Sequence, residues 1–334
     1  MKAFDHLRPA SVEQALELLP AGRDPAARER TRLVAGGQDL YGELKDRIIA
    51  PDELVDLKGI PGLDVIEISA TREVSIGALA TVGALERHLR LGSLHPLLKE
   101  AAASVASPQI RNVGTLGGNL CQRPRCWYYR HSAIDCIKKG GAVCLAYGGL
   151  NKYNAILGGG PSYIVHPSDL APALVALGAE AQIAGQRGAR SVPLERFFTL
   201  PSEGAILREN VLGPDEILTR VRIPPPQGDG WRSTYLKFRE RGSYDFALAS
   251  VALALRIEGG RIAEAHLVLG GVAPIPWRCE AAEKLLVGRA IDAATCAAAG
   301  EKALEGAQPM EYNGYKVPLA KGLITKALQK LAAA

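Results

Sequence analysis

SPQIRNVGTLGGNL, residues 107–120, runs without a break into CQRPRCWYYRHSAIDCIKKGGAVC, residues 121–144. In the first half, Gly114, Gly117 and Gly118 free the backbone for close approach to a ligand, and Thr115 and Asn119 offer side-chain hydrogen bonds. A phosphate is expected there. The second half holds Cys121, Cys126, Cys136 and Cys144, four of the six cysteines of the chain within 24 residues. Structural cysteines scatter singly through a core, so this clustering points to a shared ligand. Cys279 and Cys296 lie far away, in helix-like sequence.

The same stretch concentrates charge. Between Cys121 and Tyr153 stand Arg123, Arg125, Arg130, Lys138, Lys139 and Lys152 against one acid, Asp135, a local +5 that equals the net charge of the whole chain. A nucleic-acid protein spreads its basic side chains along a face or groove. A compact patch around thiols instead suits a buried anion such as an iron–sulfur cluster. Reduced thiols, disulfides and zinc are the other readings. Disulfides are disfavoured without a secretory signal, and the intervals of four, nine and seven residues match paired zinc knuckles only once. His131 is expected to face solvent.

Working outward, 334 residues favour two domains. The chain is 47% hydrophobic and 22% charged, with no apolar run of the ~20 residues that cross a bilayer. No membrane insertion is expected, and the compartment is read as cytoplasmic, or periplasmic if a partner carries the chain across. Ser11 with Gln14 predicts a capped helix over 11–19, followed by a polar loop over 21–30. RLVAGG then reads as a strand ending in glycines, with helix in QDLYGELKDR, so the loop Ala35, Gly36, Gly37, Gln38, Asp39 and Leu40 is a second anion site. Its spacing is not that of a Rossmann fingerprint. Two loops of this kind would give two sets of amides for the two phosphates of a dinucleotide.

Strands are expected at 53–57, 64–69 and 73–79, helices at 82–89 and 96–105, a strand at 163–166, and a helix at 170–177 capped by Asp169. A hairpin over 182–192 and a strand at 216–223 lead to PPPQGDG, residues 224–230, read as the boundary between domains 1–226 and 227–334. Beyond it come three strand candidates (231–239, 248–258, 262–270) and three helices (278–286, 292–307, 316–331). The fold class is α+β: a two-lobed domain with an insertion at 121–153, then a smaller domain with a three-stranded antiparallel sheet and three helices. Lys237 reads by itself as an edge-strand lysine, and Arg241 with Asp245 as a surface ion pair of little weight. No catalytic triad, HExxH motif or paired catalytic carboxylates stand out, so no catalytic residue is assigned.

VAGGQDL, IGALAT, ASPQIRNVGTLGGNL, HPSDLAPALVALGA, YLKFRERGSYDFALASVA and LGGVAPIPWR, in that order, resemble the FAD-binding medium subunit of molybdenum hydroxylases. Xanthine dehydrogenase, carbon monoxide dehydrogenase and aldehyde oxidoreductase are members. The resemblance implies a two-lobed FAD domain of the vanillyl-alcohol-oxidase type. It gives the pyrophosphate to residues 35–40 and to Gly114, Thr115, Gly117, Gly118 and Asn119, and it gives Asp169 and Lys237 to the flavin and its linker.

The insertion is similar to that of 4-hydroxybenzoyl-CoA reductase and the aldehyde oxidoreductases, which implies a four-iron, four-sulfur cluster on Cys121, Cys126, Cys136 and Cys144. Some relatives place a cluster cysteine just ahead of the PSD turn, where this chain has Tyr163. The implied partners are a large subunit with the molybdenum cofactor and a small subunit with two-iron clusters. Substrate oxidation would occur at molybdenum, and this chain would pass electrons to an acceptor that the sequence does not identify. A self-sufficient flavin oxidoreductase and a zinc-stabilised interaction or nucleic-acid module are the competing readings.

Overall fold

The computed structural model describes residues 1–21, 29–204 and 206–333; most of the polar loop expected over 21–30 lies outside the described residues. Three sheets organise the chain. The first is parallel, in the order β1 (Asp5–Leu7), β3 (Glu53–Asp56), β2 (Thr31–Val34). The second is antiparallel, ordered β4 (Ile66–Ile68), β5 (Val74–Gly77), β8 (Glu216–Ile223), β6 (Glu180–Gly185), β7 (Gly188–Pro193). The third is also antiparallel, ordered β12 (Trp277–Arg278), β11 (Arg261–Gly270), β10 (Ala249–Glu258), β9 (Trp231–Phe238). It has four strands, not the expected three, because Trp277 and Arg278 pair with Leu269 and Val268. A two-residue strand carries too little pattern to be read from sequence.

Strand β10 shows why the parts cohere. Its residues 249–255, ASVALAL, are buried on both faces, as a strand covered on both sides must be. Ala249, Val251, Leu253 and Leu255 join the core beneath the C-terminal helices Glu280–Leu286, Ala293–Ala303 and Lys316–Ala332. Ala252 and Ala254 point the other way, into the larger core. There the helices Pro96–Ser104 and Leu170–Ala176 cross the sheet, and small side chains let them come close.

Local capping follows the sequence in most places. Ser11 Oγ accepts from Gln14 N–H at 3.2 Å, Gln14 Oε1 accepts from Ala10 N–H at 2.9 Å, and Thr81 Oγ1 accepts from Ala84 N–H at 3.1 Å. The helix expected over 82–89 stops at Arg87, and a new one, Leu89–Leu94, starts with His88 Nδ1 accepting from Leu91 N–H at 3.1 Å. Residues 163–166 form no strand. Ala155 and Asn154 donate to the Tyr163 carbonyl, and His166 N–H bonds the Ala273 carbonyl, so side chains and single loop contacts satisfy that backbone.

Candidate functional site: a cleft between two glycine loops

A cleft of about 560 Å³ opens where β2, the second glycine loop and the insertion meet. The first loop, residues 35–40, forms one wall. The amides of Gly36, Gly37, Gln38, Asp39 and Leu40 have no acceptor among the described residues. Backbone N–H groups are seldom left unpaired in a folded protein, and a run of them makes an anion-binding concavity. Gly37 holds the turn at φ +70°, a conformation that favours glycine.

The second loop is built differently. Gly114 N–H bonds Ile110 O at 2.7 Å, Leu116 bonds Ala80 O at 2.8 Å, Gly117 bonds Ala78 O at 2.7 Å, and Asn119 bonds Thr115 O at 2.9 Å. Gly118 N–H goes to the capping hydroxyl of Thr115 at 3.1 Å. These five amides are spent on the protein, and Thr115 N–H is left without an acceptor among the described residues, so the two loops do not present equivalent sets of amides. Its glycines serve packing. A Cβ on Gly117 would stand 2.9 Å from Ala78 Cβ, and one on Gly36 would stand 2.2 Å from Val113 O, so the two loops seat directly against each other. Gly114, Gly118 and Asn119 still border the cleft, while Thr115 and Gly117 are buried in its floor.

Asp169 does not cap its helix. Ser168 does, its Oγ accepting from Ala171 N–H at 2.9 Å while donating to Asn119 Oδ1 at 2.5 Å. The carboxylate of Asp169 is thereby released to accept from Tyr235 OH and from Lys237 Nζ, each at 2.7 Å. Burial pushes the Tyr235 phenol far above its ordinary range, so it remains a donor. The Asp169 and Lys237 side chains are 5% and 3% exposed, and Lys237 also donates to Ser104 O at 3.0 Å. The pair lies at the cleft wall. Sequence reading brought Asp169 and Lys237 to one cofactor but missed that they hold each other, 68 residues apart.

Residues 2–226 match the family described as the FAD binding domain in molybdopterin dehydrogenase, and residues 233–331 match the CO dehydrogenase flavoprotein C-terminal domain. The chain is a FAD-binding medium subunit of the molybdenum hydroxylase family. It is 36% identical to the aldehyde oxidoreductase FAD-binding subunit PaoB of Escherichia coli K12, covering 100% of this chain and 99% of that one. It is 30% identical to the carbon monoxide dehydrogenase medium chain of Afipia carboxidovorans, covering 99% and 97%. Among solved structures, quinoline 2-oxidoreductase of Pseudomonas putida 86 superposes with a TM-score of 0.75 at 28% identity, covering 100% of this chain and 99% of that one. As an oxidoreductase subunit it belongs to a multi-subunit complex, which sets aside the self-sufficient flavoenzyme and the interaction or nucleic-acid module. No helix among the described residues is long and apolar enough to cross a membrane.

In this FAD subunit the insertion is where sequence and structure part. Five of its six basic side chains are taken by carboxylates: Arg123 and Lys138 pair with Glu209, Arg125 and Arg130 with Asp39, and Lys152 with Glu240. Lys139 donates to His131 O at 2.6 Å. The expected role of these charges, offsetting an anionic cluster, is therefore largely filled by the protein's own acids. His131 is exposed, as expected.

The four thiols do not share one place. Cys121 ends the Leu116–Leu120 helix, packs against the larger core and borders the cleft between the glycine loops. Cys126 lines a second cavity of about 420 Å³. Its thiol is pushed up by burial, with the nearby Cys144 adding to the shift. Cys136 is buried near Lys138. Tyr163, beside Cys144, stacks its ring 5.4 Å from that of Tyr147. Among the described residues no three His, Cys, Asp or Glu side chains are grouped to hold a metal ion. As a completed four-thiolate site the set does not fit, and nothing about electron transfer is derived through it.

Proposed function

We propose that this subunit carries electrons from an aldehyde or heteroaromatic substrate, oxidised at molybdenum in a large partner subunit and relayed by two-iron clusters in a small one, to an external acceptor. The run of unpaired amides from Gly36 to Leu40 along a 560 Å³ cleft carries the reading. Bound FAD supplies the redox chemistry, and the protein supplies placement and electrostatics. The first-loop amides take the diphosphate. Asn119, tied to Ser168, fixes the second loop against the PSD turn. An ammonium has three N–H donors; Lys237 gives two to Asp169 and Ser104, which leaves one for the flavin end of the cleft. Asp169 positions that lysine and keeps a cation there without an unpaired buried charge.

The test is spectroscopic. The purified chain is expected to show a flavin spectrum, and an aldehyde or purine to bleach it only when both partner subunits are present. Bleaching by substrate with this chain alone would overturn the relay role.

A four-iron, four-sulfur cluster on the insertion is a separate part of the proposal. It rests on the resemblance of the insertion and on the closeness of Cys126 and Cys144, and it requires the insertion to close around the cluster on binding. Iron and sulfide analysis of Cys126→Ser and Cys144→Ser tests it, with iron lost from both. Zinc without iron in the unsubstituted protein would sink it.

A further inference from the structure

We propose that the insertion is built into the FAD site: Arg32, together with the insertion's Arg125 and Arg130, forms a cationic wall for the diphosphate. The inference rests on the FAD reading above and adds residues that the glycine loops do not supply.

Arg32 lies on β2, three residues before the first loop, and borders the cleft. Its side chain makes no hydrogen bond with any described residue, and its Nε is buried without a partner. Burial lowers its pKa, and the neighbouring Arg123 adds to the effect. A guanidinium nevertheless stays charged in a protein, so a half-buried one with no acceptor among the described residues calls for an anion.

The insertion brings two more guanidinium groups to the same cleft. Asp39 Oδ2 accepts from Arg123 N–H at 2.6 Å, and Asp39 Oδ1 takes Arg125 Nη1 and Arg130 Nη2, each at 2.5 Å. The carboxylate of Asp39 is thus occupied by the insertion, while its own N–H and those of its neighbours stay free. Arg125 keeps a buried Nε without a partner. Helix residue Glu43 is held in turn by Tyr129 OH at 2.5 Å, and Tyr129 accepts from Arg123 Nε at 3.0 Å.

Charge counting agrees with the geometry. The linked group, part buried and part half-buried, holds Arg32, Arg123, Arg125, Arg130 and Lys138 against Asp39, Glu43 and Glu209, an excess of two positive charges. Glu29, also within electrostatic reach of Arg32, is exposed to water. A dinucleotide diphosphate has one negative charge on each phosphate, so it would balance the excess. Free phosphate or a nucleoside diphosphate shares that chemistry, and riboflavin does not.

The experiment titrates the flavin-stripped full chain with FAD, ADP and riboflavin, comparing the unsubstituted protein with Arg32→Gln, Arg32→Lys and, as a control on the far domain, Lys284→Gln. Arg32→Gln is expected to weaken FAD and ADP roughly 10- to 100-fold and to leave riboflavin unchanged. Arg32→Lys should fall between, because an ammonium lacks the planar fork. Unchanged FAD affinity, or equal losses for FAD and riboflavin, would overturn the proposal. Should Arg32→Gln fail to fold by circular dichroism, Arg125→Gln replaces it under the same criteria. Limited proteolysis tests the insertion's share: FAD should slow cleavage within residues 121–153, and no protection refutes that half. If the unsubstituted chain binds riboflavin and ADP but not FAD, the FAD reading itself fails and this inference falls with it.

Discussion

In the first glycine loop the amides from Gly36 to Leu40 have no acceptor among the described residues; in the second, those of Gly114, Leu116, Gly117, Gly118 and Asn119 all do. The loops have similar composition, each beside a short helix. The difference comes from what stands behind them. Ala78 and Ala80, in the turn that follows β5, offer their carbonyls to the second loop, whereas the first leaves β2 toward the cleft. Glycine content alone therefore does not mark a ligand loop; unspent donors do.

The comparison can be broken most directly at Gly37. Gly37→Val forces a branched side chain into φ +70° and against the Tyr41 ring, 2.4 Å from an added Cβ, and is expected to abolish FAD retention, read as the flavin-to-protein absorbance ratio after gel filtration. Stoichiometric flavin in that variant would mean that the first loop is not the diphosphate site.

Asp169→Ala strands the buried Lys237 ammonium without its carboxylate and should cost about 3–5 kcal/mol. Urea unfolding of the flavin-free chain measures it. A loss seen only in the flavin-loaded protein would show that the pair serves the cofactor alone.

Burial lowers His166 to about 4. The unfolded chain takes up its proton near the ordinary histidine value, so stability is complete above about pH 6.5 and falls as pH drops from there toward 4, by up to about 3 kcal/mol. His166→Gln should flatten the melting temperature across that window. An equally steep acid loss in the variant would assign the effect to other groups.

Gly117→Ala is the smallest change and separates the two loops. Its methyl meets Ala78, so overpacking of about 1–3 kcal/mol should lower the melting point of the flavin-free chain while FAD affinity per folded molecule holds. A selective loss of FAD affinity would restore the second loop as a direct ligand loop.

Much of the cleft was legible because its signals are local. Short apolar runs bounded by turn residues marked β5, β8 and β10, and serine or threonine three residues before a helical N–H marked the caps at Ser11 and Thr81. The same local rule erred at HPSD, where serine and aspartate stand side by side and either can cap. Packing chose Ser168, since Tyr235 and Lys237 wait for the carboxylate of Asp169. The sequence did not reveal that the insertion's basic side chains are paired, because their acids, Asp39, Glu209 and Glu240, lie about 70 to 90 residues away along the chain.

By itself, the sequence determined the two glycine loops, the antiparallel C-terminal strands with their three helices, and the family to which the ordered motifs belong. Those features depend on residue type and on spacings of a few positions, which fix backbone angles and periodic burial. The tertiary structure alone decided which loop keeps its amides free, where Cys121 goes, and that Asp39 anchors the insertion. Each of these depends on a partner brought up by the fold from a distant segment, and a hydrogen bond leaves no trace in sequence when its acceptor is chosen by topology.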